Sequence, residues 1–132
     1  LVLFYTPASF YAWNASDAGV PVAELAFDAV DAEGHPAGFG FAGASWALYF
    51  PLIEPGKCDR IDILGAAPAD PPAECQGYNA VVTPQASEGA VFWIERPGVS
   101  RFRVLYAGVQ VGQCPLGRGE CQVALPAPAG EG

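Results

Sequence analysis

Glycine and proline interrupt this chain so often that long helices are ruled out: 16 Gly and 13 Pro are spread through 132 residues. Between the breaks lie short apolar runs, and the clearest set is Val91–Gly112, VFWIERPGVSRFRVLYAGVQVG. Two runs flank Arg96-Pro97-Gly98 and a third follows Ala107-Gly108, which predicts strand, tight turn, strand, bend, strand. In Arg101–Tyr106 the side chains of Phe102, Val104 and Tyr106 share one face, and those of Arg101, Arg103 and Leu105 the other. That is the period-two signature of a half-buried strand. Pro97 presets φ for the first central position of a turn, and Gly98 takes positive φ at the second without a Cβ clash. If Phe92 and Ile94 point inward, alternation sends Trp93 outward beside the arginine-bearing strand, as a partner-facing anchor.

The rest of the chain reads the same way. Leu1–Tyr5 and Ser9–Trp13 are apolar, aromatic strand pieces separated by Thr6-Pro7, and Asn14–Val20 is a polar loop. Pro21–Ala32 fits both a helical face and a strand alternation, so periodicity alone leaves it open. Phe39–Phe50 is a long aromatic segment in which Gly43 predicts a bulge or a change of sheet. Arg60–Ile63 alternates, Gly65–Gln76 is a Pro-rich excursion, and Tyr78–Thr83, Ala90–Ile94 and Gln122–Leu125 complete about eight or nine short strands. Strands of this number and spacing predict a β-sandwich or barrel, and the length suits one domain. No apolar run approaches the roughly 20 residues of a membrane span. The chain opens on Leu1 rather than Met, which predicts a processed form or fragment.

The net charge of −8 argues against nucleic acid as a partner, because phosphate backbones attract the opposite field. The charges are also segregated. Asp17, Glu24, Asp28, Asp31, Glu33 and Glu54 all precede the first Lys or Arg, whereas Arg96, Arg101 and Arg103 cluster in the central stretch. Acidic and basic patches on one domain, with an apolar first strand free to add to a neighbour's sheet edge, suit head-to-tail self-assembly through Arg101 and Arg103; the alternative, which carries more weight, is that this strand pairs within its own sandwich and the charges confer solubility.

Cys58, Cys75, Cys114 and Cys121 leave 16, 38 and 6 residues between neighbours. Zinc favours closer pairs, often completed by histidine, and His35 is the sole histidine. An even cysteine count in a small chain fits a disulfide framework formed in an oxidising compartment. Of three connectivities, Cys58–Cys75 and Cys114–Cys121 are expected, since each pair brackets one loop. Asn14-Ala15-Ser16 is an N-glycosylation acceptor sequence, which makes Asn14 the expected glycan site and points to the same secreted or cell-surface location.

Catalytic motifs are missing from the sequence. No nucleophile elbow, zinc-protease helix or phosphate-binding glycine loop occurs, and His35 between Gly34 and Pro36 reads as a solvated turn residue. Asp28, Asp31 and Glu33, or Asp59 with Asp62, could offer oxygens to calcium, but neither set has the spacing of a dedicated loop. No cofactor or metal is expected. Phe39, Phe41, Trp46, Tyr49 and Phe50 could form a sugar-stacking platform, although a sandwich of this size needs most of them as core.

Two segments resemble an immunoglobulin-like repeat of the filamin type or an extracellular relative. Leu25–Gly38, an alternating strand running into Asp31-Ala32-Glu33-Gly34 and then Pro36, is similar to the second-strand turn of such domains. Pro97–Pro115 resembles their final hairpin, with its Tyr106-Ala107-Gly108 turn. The resemblance implies a strand at Leu25–Val30 and an interaction or structural module rather than an enzyme. The expectation is therefore an all-β, immunoglobulin-like antiparallel β-sandwich stapled by two disulfides. Residues 1–19 form an N-terminal strand and glycosylated loop, 20–126 the sandwich, and 127–132 a tail. The expected function is extracellular adhesion or structural assembly with a protein partner or further copies of the chain. A carbohydrate-binding module is the first alternative and a small secreted enzyme the second.

Overall fold

A computed structural model of the chain describes residues 1–63, 65, 71–75, 81–82, 91–117 and 119–126. Their strands are β1 (Val2–Tyr5), β2 (Ser9–Trp13), β3 (Val20–Pro21), β4 (Leu25–Val30), β5 (Pro36–Ala42), β6 (Leu52–Ile53), β7 (Cys58–Asp62), β8 (Val81–Val82), β9 (Arg101–Tyr106), β10 (Val109–Pro115) and β11 (Glu120–Gln122). One sheet runs β11-β1-β2-β7-β8, the other β10-β9-β4-β5, and β3 pairs with β6 in a small ribbon. All pairings are antiparallel except β7 with β8. The chain crosses from β2 to β4 and back from β5 to β7, so β2 and β7 lie inside one sheet and β4 and β9 inside the other. This is the immunoglobulin-like antiparallel β-sandwich expected from the sequence.

Period-two patterning builds its core. On β4, Leu25, Phe27 and Ala29 face inward with Phe102 and Val104 of β9, against Leu3, Phe10, Ala12 and Ile61 of the other sheet. Phe10, Phe27, Phe92 and Phe102 form the aromatic centre, with ring centroids 5.0–6.1 Å apart among the pairs Phe10–Phe92, Phe27–Phe92, Phe92–Phe102 and Phe10–Phe102.

Three expectations are corrected. The arm Ala90–Ile94 is not a strand over its described residues 91–94, of which 92–94 form bends. Val91, Phe92 and Trp93 are all buried in succession, whereas a strand would turn every second side chain outward. The demand of the core for bulky rings overrides alternation here. The strand through Phe39, β5, ends at Ala42, and Gly43 opens a 3₁₀ helix, Gly43–Leu48, rather than a bulge; the change of sheet read at Gly43 does occur across this helix. A Cβ on Gly43 would sit 2.0 Å from the Val22 carbonyl oxygen, so a glycine is required for this helix to dock on the preceding 3₁₀ turn, Val22–Glu24. Finally, residues 1–13 are no appendage. β1 lies between β2 and β11, and β2 lies between β1 and β7, so the boundary at residue 19 falls inside the sandwich. Of the strand expected at Tyr78–Thr83, only β8 is described; the expected tail 127–132 lies outside the described residues.

Both expected disulfides are present, Cys58–Cys75 and Cys114–Cys121. The first pins the short 3₁₀ turn Ala73–Cys75 over Tyr11 on the outer face of the larger sheet. The second joins β10 of one sheet to β11 of the other.

The β9–β10 hairpin closes on Ala107 (φ 52°) and Gly108 (φ 80°). Positive φ at both central positions defines a type I′ turn, whose twist matches that of the strands. Ala107 carries a Cβ into a region that costs roughly 1 kcal/mol for such residues, whereas Asn tolerates it. Ala107→Asn should therefore raise the melting temperature by a few degrees, on the order of 1 kcal/mol. A variant that melts at or below the parent in calorimetry would show that the turn is not strained.

Candidate binding end of the sandwich

One end of the sandwich is built from three connections. The β2–β4 connection contains the loop 14–19, β3 and the turn Val22–Glu24; the β5–β7 connection contains the helix Gly43–Leu48 and β6; the third is the β9–β10 turn. Backbone hydrogen bonds lace them together. Val22 N donates to Pro51 O at 3.1 Å, Ala107 N donates to Glu24 O at 2.9 Å, and Val20 pairs with Ile53.

Trp46 anchors the helix Gly43–Leu48. It is wholly buried, and its Nε1 donates to Arg60 O at 3.0 Å. With Trp46 inward, the residues that follow are carried outward. Leu48 is 80% exposed, Tyr49 47% and Phe50 46%, and Val109, just past the hairpin turn, is 64% exposed. These four are the exposed large hydrophobic residues among the described ones, and all stand at this end. Beside Val109 an open groove of about 530 Å³ is lined by Tyr106, Val111, Leu125 and Pro126. An apolar cluster confined to loop tips on a rigid scaffold is the usual composition of a contact surface.

Asn14 lies within this end as a structural residue. It is fully buried, its Nδ2 donates to Ala18 O and Ile53 O, both at 2.8 Å, and its Oδ1 accepts from Ser16 N at 2.9 Å. One amide hydrogen closes the loop on Ala18 and the other ties it to Ile53 of β6, so in this arrangement the Asn14 side chain holds the loop to the sheet.

Trp93, expected to face outward, is 2% exposed, and its Nε1 donates to Thr6 O at 2.8 Å. Arg101 and Arg103 project from the outer face of β9, away from Trp93. Arg103 forms a two-pronged contact with Asp28 Oδ2 (Nη2 2.9 Å, Nε 3.2 Å) on the adjacent β4. Arg101 Nε donates to Gln113 Oε1 at 2.5 Å. Asp28 of the acidic set and Arg103 of the basic set are thus neighbours within one sheet, and β1 has a partner on each side, the in-sandwich pairing weighed as the alternative from sequence.

Several further ionisable groups are tied into the fold. Asp62 accepts from Ser9 Oγ at 2.9 Å and from Arg60 Nη2 at 2.7 Å on the outer face of the larger sheet. Asp59 points the other way, sharing the inner face with Ile61, so Asp59 and Asp62 do not converge on a cation. Burial pushes the Asp59 carboxyl up to about 7, and its Oδ2 has no hydrogen-bond partner. Asp31, Glu33 and His35 bring one ligand atom each within 4.8 Å of one another at the opposite end. Asp31 Oδ1 accepts from the His35 and Glu33 amides, both at 2.9 Å, which closes the turn and holds the Asp31 carboxyl below its usual range. Asp28, the third member of the calcium set weighed from sequence, is engaged by Arg103 instead.

No protein-family model matches the chain, and neither a curated protein nor a solved structure matches it.

Proposed function

We propose that this protein is a secreted or cell-surface, non-catalytic interaction module, serving adhesion or structural assembly, that meets a protein partner through the three-connection end. The observation that carries the reading is the confinement of Leu48, Tyr49, Phe50 and Val109 to that end, while the other faces bear few large exposed apolar groups among the described residues. Two disulfides support an oxidising compartment, and no described helix is long and apolar enough to cross a membrane. The non-catalytic reading draws on how the charged groups are used: Asp28 with Arg103, Asp62 with Arg60, and Asp31 within its turn each meet a structural demand. Leu48 and Val109, the two most exposed of the four, are aliphatic and offer no ring for a sugar to stack on, which favours a protein surface.

The test is retention of labelled protein on the surface of the producing cells, read by flow cytometry. The double variant Leu48→Ser, Phe50→Ser should reduce retention roughly tenfold, the equivalent of about 1.4 kcal/mol. Equal retention by both proteins, or recovery of the native protein from the reducing cytosol with free thiols, would refute the reading.

A further inference from the structure

The groups around the apolar tips define the chemistry of the partner, an inference that rests on the three-connection end being the contact surface. Three exposed carboxylates share this end: Asp17 on the loop 14–19, Glu24 on the turn beside Ala107, and Glu54 just past β6. Backbone bonds and packing place each at this end. Glu24 O accepts from Ala107 N. Loop 14–19 packs on β6, where a Cβ on Gly19 would meet Leu52 Cδ1 at 3.0 Å. Glu54 O accepts from Lys57 N at 3.0 Å, closing the tight turn that follows β6. The end is therefore an apolar cluster with an acidic margin.

We infer that its occupant is a protein segment presenting apolar side chains flanked by lysine or arginine, rather than a second copy of this chain or a lipid surface. A second copy docking through the same end would bring Asp17, Glu24 and Glu54 against their own counterparts, on a molecule already carrying a net charge of −8. Like charges across an interface oppose wrong partners, and complementary ones accelerate encounter and fix register. An anionic bilayer meets the same repulsion. A basic-flanked apolar segment satisfies both parts of the surface: Leu48, Tyr49 and Phe50 enter its apolar face, and the carboxylates meet its cations at the exposed margin.

The test uses the intact, oxidised chain and two designed amphipathic helical peptides with the same leucine face, one flanked by lysine and the other by glutamate. Amide shifts in NMR spectra report the site, and calorimetry reports affinity at low and high salt. The lysine peptide should bind at Val20–Glu24, Leu48–Glu54 and Tyr106–Val109, at least roughly tenfold more tightly than the glutamate peptide, with the difference shrinking as salt screens the margin. Glu24→Lys with Glu54→Lys should reverse the preference, and Leu48→Ser with Phe50→Ser should abolish binding of either peptide. Equal affinity for the two peptides at this end overturns the basic partner but leaves the end as a contact surface. No binding of the lysine peptide, or shifts mapping elsewhere, overturns the contact surface as well. Concentration-dependent sedimentation abolished by Leu48→Ser, or binding to neutral phosphatidylcholine vesicles, overturns the inference in favour of a second copy or a membrane.

Discussion

Acidifying the protein from pH 8 to pH 5 should stabilise it by roughly 2.5 kcal/mol, because of Asp59. Its carboxyl is 2% exposed, faces the sandwich interior beside Ile61, and has its pKa pushed up to about 7 by burial, against 3.8 for the unconstrained side chain. Between those two values the native state holds a proton that the unfolded chain has released. Unfolding therefore becomes easier as pH rises through this window, and the effect levels off above pH 7. Across the whole window the cost of ionising Asp59 in the fold is about 4 kcal/mol, at 1.36 kcal/mol for each pH unit. Groups of the opposite kind limit the gain at the acid end. The Asp31 carboxyl is held low by the His35 amide, so its contribution is lost as pH falls below the ordinary carboxylate range. Stability should accordingly peak at about pH 4, and Asp59→Asn, which carries no titrating proton, should flatten the slope between pH 5 and 7. Denaturant melts at several pH values are the check. A parent protein equally stable at pH 5 and pH 8 would mean that Asp59 is ionised at little cost within the fold.

Phe92→Ala should cost about 4 kcal/mol and lower the melting temperature by on the order of 15 °C. Its ring is stacked on Phe27 at an interplanar angle of 6° and lies 5.0–5.1 Å from the rings of Phe10, Trp93 and Phe102. Truncation would empty the meeting point of both sheets, and the neighbouring rings are themselves fixed by packing, so the cavity cannot collapse cheaply. The position also lacks the backbone support of a strand: residues 92–94 form bends, and the ring is a principal anchor of that segment. Phe92→Leu, which keeps most of the volume, should lose less than half as much. A loss below 1 kcal/mol for the alanine variant in urea titration would show that the ring is dispensable.

The parts of the fold legible in the sequence are those marked by local composition or alternation. β2 was marked by its apolar and aromatic run and β9 by its period-two alternation, β4 needed the family resemblance to break a tie, and the disulfides followed from the loops that they bracket. The sequence misled where three-dimensional packing outweighs local pattern. Trp93 was sent outward by an alternation that its segment does not possess. The helix Gly43–Leu48 was hidden because Gly43 is selected by a contact with Val22, a residue 21 positions earlier. The candidate binding end was obscured for a related reason: Leu48, Tyr49 and Phe50 look like core residues in a chain that needs a large core. Only the burial of Trp46 shows that the residues after it must turn outward. The role of Asn14 in anchoring its loop was hidden as well, because its bonds to Ala18 and Ile53 depend on β6 lying alongside.

The pairing of β1 with β11 determines how this sandwich responds to tension. Leu1 and Val123 are hydrogen-bonded neighbours, with Val123 N donating to Leu1 O at 2.8 Å. A force pulling Leu1 and Pro126 apart therefore loads the same end of an antiparallel pair, and its bonds break one after another rather than together. Opening of this kind needs little force, but it has a fixed stop. Cys121, paired with Leu3, is tethered to Cys114 in the opposite sheet, so once peeling reaches it the load passes through a covalent bond into β10. In single-molecule extension the first give should be a few residues long with the bridge intact and longer once it is reduced; identical traces in the two states would rule out the stop. The bridge thus turns a soft outer strand into a short spring of set length.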